Sequence, residues 1–466
     1  MLTLDPESDT PLVRQITVGL QALIDAGKLA PGMKLPSIRV FAAKHGVSTF
    51  TVVEAYDRLV ANGVLMVQPH RGFFIRGKEV AASAPAPVLA PRRHSFDSEW
   101  YIRRIFENRS LEMKPGCGWL PGDWLFEDGL RRAMRHVASD KIVMSGYGDP
   151  QGYAGLREHI ARQMSDDRQV WTTSEQVLLT QGSSQALDLV MRTLVNPGDA
   201  VLVDDPGYPN LFEMLRAYGA RPVGVPRLPR DYDLAAMEAA IVQHKPVAFF
   251  TQARLHSPTG SRILGAPLHR MLRLAEDHGI WVIENDIFAE LDPEPYTGLA
   301  TLDQLRRVVV VGSFSKTISP NVRTGYAVAN TSVLQSMVEL KMRSGLTSPD
   351  VMERIVHAVV TGARWRKHLR ALQQRLHDAH QEVEARLDAL GFEVFCRPRA
   401  GLYIWARHER LSDSIDLVET ALTRGIMLGP GQLFSVQGTT GGCIRFNVAH
   451  SLSPKLWDFM AAQIAR

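Results

Sequence analysis

The first 78 residues alternate between the apolar spacings of a helix and those of a strand. Three runs, Val13–Ile24, Ile38–Ala42 and Val52–Val60, place apolar side chains three or four positions apart, as amphipathic helices do. Two short alternating segments follow, around Val64–Val67 and Phe73–Ile75, on either side of a turn-forming tip. Helix, short helix, helix and hairpin in this order predict a winged helix-turn-helix.

The polar residues of this segment suit contact with nucleic acid. Its third helix begins with the small hydroxyl side chains of Ser48, Thr49 and Thr51, which can approach phosphates and base edges at a helix N-terminus. Arg39 on the second helix and Arg71 at the hairpin tip would meet the DNA backbone or a groove. The alternative is a three-helix module that docks on protein, with Ser48 acting only as a helix cap.

The charge distribution supports the first interpretation. Residues 11–78 carry nine Lys or Arg and three Asp or Glu, a net of +6 in a chain whose total is +4. The remainder therefore carries about −2, so a basic head joins a nearly neutral body. A basic head predicts an anionic partner, although solvated surface lysines would give the same count.

The segment PGMKLPSIRVFAAKHGVSTFTVVEAYDRLVANGVL, followed by RGFFI, resembles the GntR family of bacterial transcription factors. The resemblance covers the whole head and implies that it binds operator DNA. The family's DNA contacts fall here on the arginine after LPS, the start of the recognition helix and the wing tip. These are Arg39, Ser48, Thr49, Thr51, Arg71 and Gly72.

The remaining chain has a different pattern. Strand-like and helix-like segments alternate from about residue 98 to 330, which predicts a mainly parallel α/β sheet. The pattern is helical from about residue 335 and ends in a small lobe that contains strands. Residues 79–97 are rich in Ala and Pro and predict an extended linker. We therefore expect a DNA-binding domain at 1–78, the linker, and a body at 98–466.

The candidate chemistry of the body centres on Lys316. It follows the valine run at Val308–Val311, which predicts a buried strand, and Ser313, Ser315 and Arg323 lie close to it in sequence. A lysine amine can form an imine with an aldehyde cofactor, while hydroxyls and a guanidinium hold that cofactor's phosphate. By itself this motif fits a loop lysine that faces water equally well.

Other motifs follow predicted strands, where α/β folds bind ligands. Gly182 precedes Ser183 and Ser184 at the start of a predicted helix, which would complete a phosphate-binding cup. Tyr208 lies between turn-forming residues and is suited to stacking on a planar ring. Asp286 could pair with a pyridinium nitrogen; the alternative is a buried structural carboxylate.

The segments GSSQAL, DDPGYP, SPTG, ENDIF, SFSK and IRFN together resemble fold-type I aminotransferases, which use pyridoxal 5′-phosphate (PLP). The resemblance spans about residues 100–460 and implies that Lys316 forms the Schiff base with PLP. It also implies that Asp286 faces the ring nitrogen, that Tyr147 reaches the phosphate of a partner subunit in a homodimer, and that Arg445 binds a substrate carboxylate. The implied cofactor-binding residues are Tyr147, Ser183, Ser184, Tyr208, Ser257, Asp286, Ser313, Ser315 and Arg323.

Three positions depart from the aminotransferase pattern. Ser257 replaces the usual Asn before PTG, and Phe288 replaces the Tyr that usually bonds the ring hydroxyl. A gapless alignment puts Asn285 opposite the usual Asp, so the choice of Asp286 requires a one-residue shift. Arg254 and His256 are alternative cofactor contacts. These changes leave cofactor capture in place and weaken the case for efficient transamination.

A GntR-type head on an aminotransferase-like body resembles the MocR subfamily of regulators. The resemblance implies a cytoplasmic bacterial transcription factor that senses PLP or its adduct with an amino compound. The alternatives are an active aminotransferase with an accessory head, and a regulator whose body binds no cofactor. Three scattered cysteines and the lack of a long apolar run favour a cytosolic protein without disulfides, metal site or membrane span.

Overall fold

The computed structural model describes residues 2–68, 71–76, 98–107, 111–140 and 145–465. The chain forms two compact units, Met1–Arg93 and His94–Arg466. The predicted linker at 79–97 lies outside the described residues, so the predicted domain limits stay a prediction. Among the helices that the structure describes, none combines the length and the apolar character needed to cross a bilayer.

The first unit has the helix order and the hairpin that the hydrophobic pattern predicts. Its elements are α1 (Leu12–Asp25), α2 (Ile38–His45), α3 (Thr49–Ala61), β1 (Leu65–Gln68) and β2 (Gly72–Ile75). The two strands are antiparallel, with Leu65 opposite Ile75 and Gln68 opposite Gly72. A feature missed by the sequence analysis is that Lys34 forms a bridge with Phe74, so the chain before α2 extends the hairpin.

The core of this unit is built from one face of each helix and the hairpin. Ile16 of α1, Phe41 of α2 and Tyr56 of α3 are buried together, and the Tyr56 hydroxyl donates to the Pro36 carbonyl at 3.2 Å. The turn between α2 and α3 passes through Gly46 with φ of 66°, a left-handed conformation that favours glycine. This short turn fixes α3 against α2, as a helix-turn-helix requires.

The second unit is organised around a mixed sheet. Its strands are β3 (Val177–Thr180), β4 (Ala200–Asp205), β5 (Arg221–Pro226), β6 (Ala248–Thr251), β7 (Trp281–Asn285), β8 (Val308–Ser313) and β9 (Gly325–Val328). The described sheet has the order β3-β9-β8-β7-β6-β4-β5, and β9 runs against its neighbours β3 and β8. The strands β4 to β8 are parallel where they pair, which confirms the predicted α/β fold.

Helices cover this sheet and build the small C-terminal lobe. The helices are α4 (Ser98–Glu107), α5 (Glu127–Ser139), α6 (Ala154–Arg168), α7 (Ser183–Leu194), α8 (Pro209–Tyr218), α9 (Leu234–His244), α10 (Ala266–Asp277), α11 (Leu299–Asp303), α12 (Thr331–Gly345), α13 (Asp350–Val360), α14 (Trp365–Ala389), α15 (Ser414–Leu422) and α16 (Pro454–Ile464). The small lobe has its own sheet, ordered β10 (Glu393–Val394), β11 (Tyr403–Arg407), β13 (Cys443–Asn447) and β12 (Gly429–Pro430).

The topology decides where functional side chains meet. The strands β4, β6, β7 and β8 are parallel neighbours, so their carboxyl ends lie along one edge of the sheet. The residues at these ends are Asp205, Thr251, Asn285 and Ser313. Because such an edge is where α/β sheets bind ligands, the cofactor motifs predicted from the sequence fall in one region.

Candidate cofactor site and nucleic-acid interface

Lys316 lies in the loop after β8 and is partly buried. Its Nζ donates to the Gly118 carbonyl at 2.6 Å and lies 5.8 Å from the centre of the Phe288 ring. Burial and the positive charges of Arg445 and Arg323 lower the pKa of Lys316 to about 8, against the opposing effect of Cys117. The amine is therefore a better nucleophile near neutral pH than a lysine in open water.

A cradle for an anion lies where α7, β8 and β9 meet. Gly325 pairs with Ser313 on one side and with Thr180 on the other, so the loop after β8 lies beside the start of α7. A Cβ on Gly325 would lie 2.7 Å from the Ser183 nitrogen, so glycine permits this close approach. The amide end of α7, where Ser184 also lies, therefore faces the serine loop.

Arg323 closes this cradle. Its Nη2 donates to the Gln181 carbonyl at 3.1 Å, and a Cβ on Gly182 would lie 2.6 Å from the same nitrogen. Ser313 Oγ accepts from the Ser315 amide at 3.2 Å. The Ser315 hydroxyl is buried and has no hydrogen-bond partner in the described part of the chain. A buried hydroxyl without a partner beside a guanidinium and a helix N-terminus fits a phosphate.

A cavity at the ends of β4, β6 and β7 adjoins these groups. Its lining includes Tyr208, Ser257 and Asn285, together with His256. Burial and the charge of Arg227 lower the pKa of His256 to about 4, so this imidazole is neutral at pH 7. An aromatic ring, a hydroxyl and an amide are the kinds of group that contact a planar polar ring.

The carboxylate predicted for this cavity lies elsewhere. Asp286 Oδ1 accepts from Arg254 Nε at 2.9 Å, and its Oδ2 accepts from Arg254 Nη2 and, at 2.8 Å, from Arg168 Nη1. Asn285, and not Asp286, lines the cavity, which favours the gapless alignment over the one-residue shift. Arg254 is likewise occupied by Asp286. No sequence signal indicated Arg168, which comes from the end of α6.

Arg445 of β13 lies in a buried setting of its own. Its guanidinium carbon lies 4.5 Å from the ring centres of both Tyr403 and Phe434. Its Nη1 donates to Ser257 Oγ at 3.3 Å and its Nη2 donates to the Gly116 carbonyl. Its Nε is buried and has no partner among the described residues. The fork is thus held rigidly close to Lys316, with donor capacity left for a ligand.

Tyr147 is not brought to the cradle within one chain. It is 84% exposed and lies beside Tyr153, Pro349 and Asp350. The prediction that it reaches the phosphate of a partner subunit stays a prediction.

The predicted DNA contacts lie on the surface of the head. Arg39, Thr49 and Arg71 are exposed. Ser48 Oγ accepts from the Thr51 amide at 3.0 Å, so it caps α3 and has less freedom to contact DNA than the sequence analysis expects.

Phe50, which the sequence pattern does not single out, is 75% exposed in the first turn of α3. Its position between two hydroxyl residues of the recognition helix was the available signal. An exposed phenylalanine there can contact a thymine methyl group in the major groove.

The two units define a class of protein: a GntR-type DNA-binding head on an aminotransferase-like body. Residues 12–75 match the model for bacterial regulatory proteins of the gntR family. Residues 121–458 match the model for aminotransferase class I and II. The chain belongs to the aminotransferase class I and II family and carries a GntR-type head in addition.

Regulators with the same fused architecture match nearly the whole chain. The uncharacterized HTH-type transcriptional regulator YdcR of Escherichia coli strain K12 is 26% identical over 444 residues, or 94% of each protein. The probable rhizopine catabolism regulatory protein MocR of Rhizobium meliloti is 26% identical over 451 residues, or 92% of this chain and 88% of that protein. The resemblance to the MocR subfamily is therefore confirmed.

A solved aminotransferase matches the body alone. The structure of LysN, the α-aminoadipate aminotransferase of Thermus thermophilus, covers 78% of this chain and 92% of its own, with a TM-score of 0.70 and 25% identity. That structure contains N-(5′-phosphopyridoxyl)-L-leucine, an adduct of the cofactor with an amino acid.

Proposed function

We propose that this protein is a cytoplasmic transcriptional regulator in which the head binds operator DNA and the body binds PLP and senses an amino compound. The observation that carries the proposal is the partly buried Lys316, with a pKa near 8, beside a cradle whose buried Ser315 hydroxyl lacks a partner among the described residues. The regulators that share the fused architecture support the same function.

The residues present fit the cofactor. Ser183, Ser184, Ser313, Ser315 and Arg323 would hold the phosphate through amides, hydroxyls and a guanidinium. Tyr208 and Ser257 would line the ring, and Lys316 would bond to its aldehyde carbon. When bound there, PLP supplies an aldehyde that captures primary amines.

Arg445 would select the captured amine. Its fork has a buried Nε without a partner among the described residues and is fixed between two aromatic rings. A planar guanidinium binds a carboxylate through two parallel hydrogen bonds. The effector class favoured by this residue is therefore an amino acid, in contrast to PLP alone or a simple amine.

The response would pass from body to head by a shift between conformations. A ligand shifts such an equilibrium only to the extent that it binds one state more tightly than the other. In a homodimer, Tyr147 would complete the partner's site, so binding of cofactor and effector would change the distance between the two heads. The affinity for paired operator half-sites would depend on that distance.

The test of the proposal is covalent capture at Lys316. Full-length protein supplied with PLP and reduced with borohydride should carry the pyridoxyl group on the peptide that contains Lys316, and Lys316→Ala should lose it. Lys316→Arg is the matched control, because it keeps the charge but cannot bond to the aldehyde. An adduct on another lysine, or on none, would refute the site.

The pKa of Lys316 adds a pH dependence to this test. The neutral amine is the nucleophile, so the rate of capture should rise with pH through about 8 and level off above it. A solvated lysine would instead reach its plateau only above its ordinary pKa of about 10.4.

An active aminotransferase is the second candidate, because the body matches LysN over most of its length. Its distinguishing property is turnover of amino acids in the presence of PLP.

A further inference from the structure

The end of β7 decides what this site can do with a captured amine. We infer that Asn285 occupies the place opposite the pyridine nitrogen, that Arg254 and Arg168 hold Asp286 away from it, and that the site therefore recognises amines without efficient turnover. This inference rests on the proposed cofactor and concerns a residue whose role is otherwise unassigned.

The register of β7 determines which side chain faces the cavity. Asn285 lies opposite Val311 of β8, and the Asp286 amide donates to the Val311 carbonyl at 2.8 Å. Side chains alternate between the faces of a strand, so Glu284 and Asp286 share the face away from the cavity. Glu284 indeed accepts from the amides of Leu299 and Ala300 at 3.1 and 3.0 Å, outside the cavity lining.

Turning Asp286 toward the cavity in place of Asn285 would cost considerable free energy. Its carboxylate is buried and receives hydrogen bonds from both Arg254 and Arg168. The Arg254 guanidinium is fixed in turn at 4.5 Å from the centre of the Tyr296 ring. Turning Asp286 toward the cavity would leave two buried cations without their carboxylate, which is strongly unfavourable.

Asn285 is free to receive a ligand. Its Oδ1 is buried and has no hydrogen-bond partner among the described residues, although it lines the cavity with Tyr208 and Ser257. The unpaired atom is an acceptor, as is an unprotonated ring nitrogen, so the amide meets such a nitrogen only in the flipped orientation. Because Asn can rotate its amide, the NH₂ group can donate to an unprotonated nitrogen.

The exchange of carboxylate for amide changes the chemistry. A carboxylate stabilises a protonated ring nitrogen, which lets the ring accept electron density; a neutral amide does not balance that positive charge. Phe288 also lacks the hydroxyl that Tyr would offer, and it packs on Tyr403 instead, with ring centres 5.7 Å apart. Removal of a proton from the carbon of a captured amine therefore lacks its electron sink.

Capture itself needs no such sink. With the cofactor bound, the nitrogen of a primary amine would replace Lys316 Nζ on the aldehyde carbon, and the two hydrogens of that amine would end on Nζ. One carbon–nitrogen double bond would form while another breaks, and nothing would be oxidised. Lys316 and Arg445 are therefore sufficient to bind the amine. Asn285 does not support the later removal of a proton from its carbon.

The experiment uses full-length protein loaded with PLP labelled with ¹⁵N in the ring. Between pH 6 and 9 the wild type should give the nitrogen shift of an unprotonated pyridine. Asn285→Asp should give that of a pyridinium. In single-turnover mixing with L-amino acids, Asn285→Asp should exceed the wild-type rate of half-transamination by about a hundredfold, the low end of what a positioned acid or base contributes.

Asn330→Asp is the matched control. Asn330 caps α12 by accepting from the Val333 amide at 3.0 Å, a role that aspartate also performs, and it lies outside the cavity lining. Aspartate gives up only the long hydrogen bonds from the Asn330 NH₂ group to the Leu305 and Arg306 carbonyls, at 3.4 and 3.3 Å. This variant should match the wild type in both measurements.

A pyridinium shift in the wild type, or an unprotonated shift in Asn285→Asp, would overturn the inference. Neither result depends on turnover. Failure of the proposed function is distinct, because it would appear as absence of the reducible adduct at Lys316.

Discussion

At the residue scale, Arg445 is a buried charge in an orientation that suits the proposed ligand contact. Two aromatic rings, the Ser257 hydroxyl and the Gly116 carbonyl fix the guanidinium, so a carboxylate would meet it already oriented. The same positive charge contributes to lowering the pKa of Lys316. Under the proposed function, one residue would therefore affect both the recognition of a ligand and the nucleophile that captures it.

Replacing Arg445 by Ala should separate recognition from cofactor binding. The variant should keep the reducible link at Lys316 but bind amino acids about ten- to a hundredfold more weakly, since it loses a charge-assisted pair worth about 1.5–3 kcal/mol. Arg445→Lys should recover only part of the affinity, because an ammonium lacks the planar fork. The measurement is a spectral titration followed by operator binding.

A primary amine without a carboxylate is the control ligand in this titration. It should bind the wild type and Arg445→Ala with similar affinity. An equal loss for amine and amino acid would exclude Arg445 as the carboxylate partner. An operator response to PLP alone in both proteins would make the cofactor itself the effector.

At the scale of the element, one turn of α3 would combine a structural role with the predicted recognition role. Ser48 caps the helix through the Thr51 amide, while Thr49 and Phe50 project from the same turn and are exposed. Capping stabilises the helix, and the exposed side chains are free for DNA. The sequence alone gave both roles to Ser48.

Arg39 and Arg71 should act on DNA binding alone. Each alanine substitution should weaken operator binding and reduce the slope of log affinity against log salt by about 1, as expected for the loss of one phosphate contact. The absorbance of the bound cofactor should not change, because both residues belong to the other compact unit. Fluorescence anisotropy across a salt series measures both quantities.

Arg76→Ala is a control for these two variants, because Arg76 is also an exposed arginine of the head but follows β2, after the wing. It should bind operator nearly as the wild type does. Wild-type affinity and slope in both Arg39→Ala and Arg71→Ala would contradict the assigned interface.

At the scale of the whole molecule, the prediction for Tyr147 links cofactor binding to assembly. Tyr147 is 84% exposed, and the proposed contact with the phosphate is made to a second subunit. Tyr147→Phe should lower PLP affinity about ten- to a hundredfold through loss of one hydrogen bond to a charged group. Equilibrium dialysis of PLP measures this loss.

Mixed dimers give the decisive form of this experiment. A subunit with Lys316→Ala paired with one carrying Tyr147→Phe contains one site with both wild-type residues. Co-expression should therefore restore tight, reducible binding to half of the sites. No recovery in a purified mixed dimer would show that Tyr147 acts within its own chain, whereas wild-type PLP affinity in Tyr147→Phe itself would show that it has no role.

Local sequence patterns determined the elements and the two kinds of domain. Apolar residues recur every three to four positions in a helix and every two in a strand, and this spacing shows which face of the segment is buried. The spacing can be recognised from residues close together in the chain. It placed the three head helices, the hairpin and the α/β body. The motif around Lys316 was visible because its serines and its arginine lie within ten residues of the strand end, but by itself it fitted a lysine that faces water equally well.

The tertiary structure alone decided which acidic or amide group faces the cavity. Asn285 and Asp286 are neighbours, so a shift of one residue exchanges their faces, and only the pairing of β7 with β6 and β8 fixes the register. Arg168 reaches Asp286 from the end of α6, and no local pattern can report a contact between residues so far apart in the chain. The sequence therefore determined the parts of the site, while long-range pairing and burial of charge decided their roles.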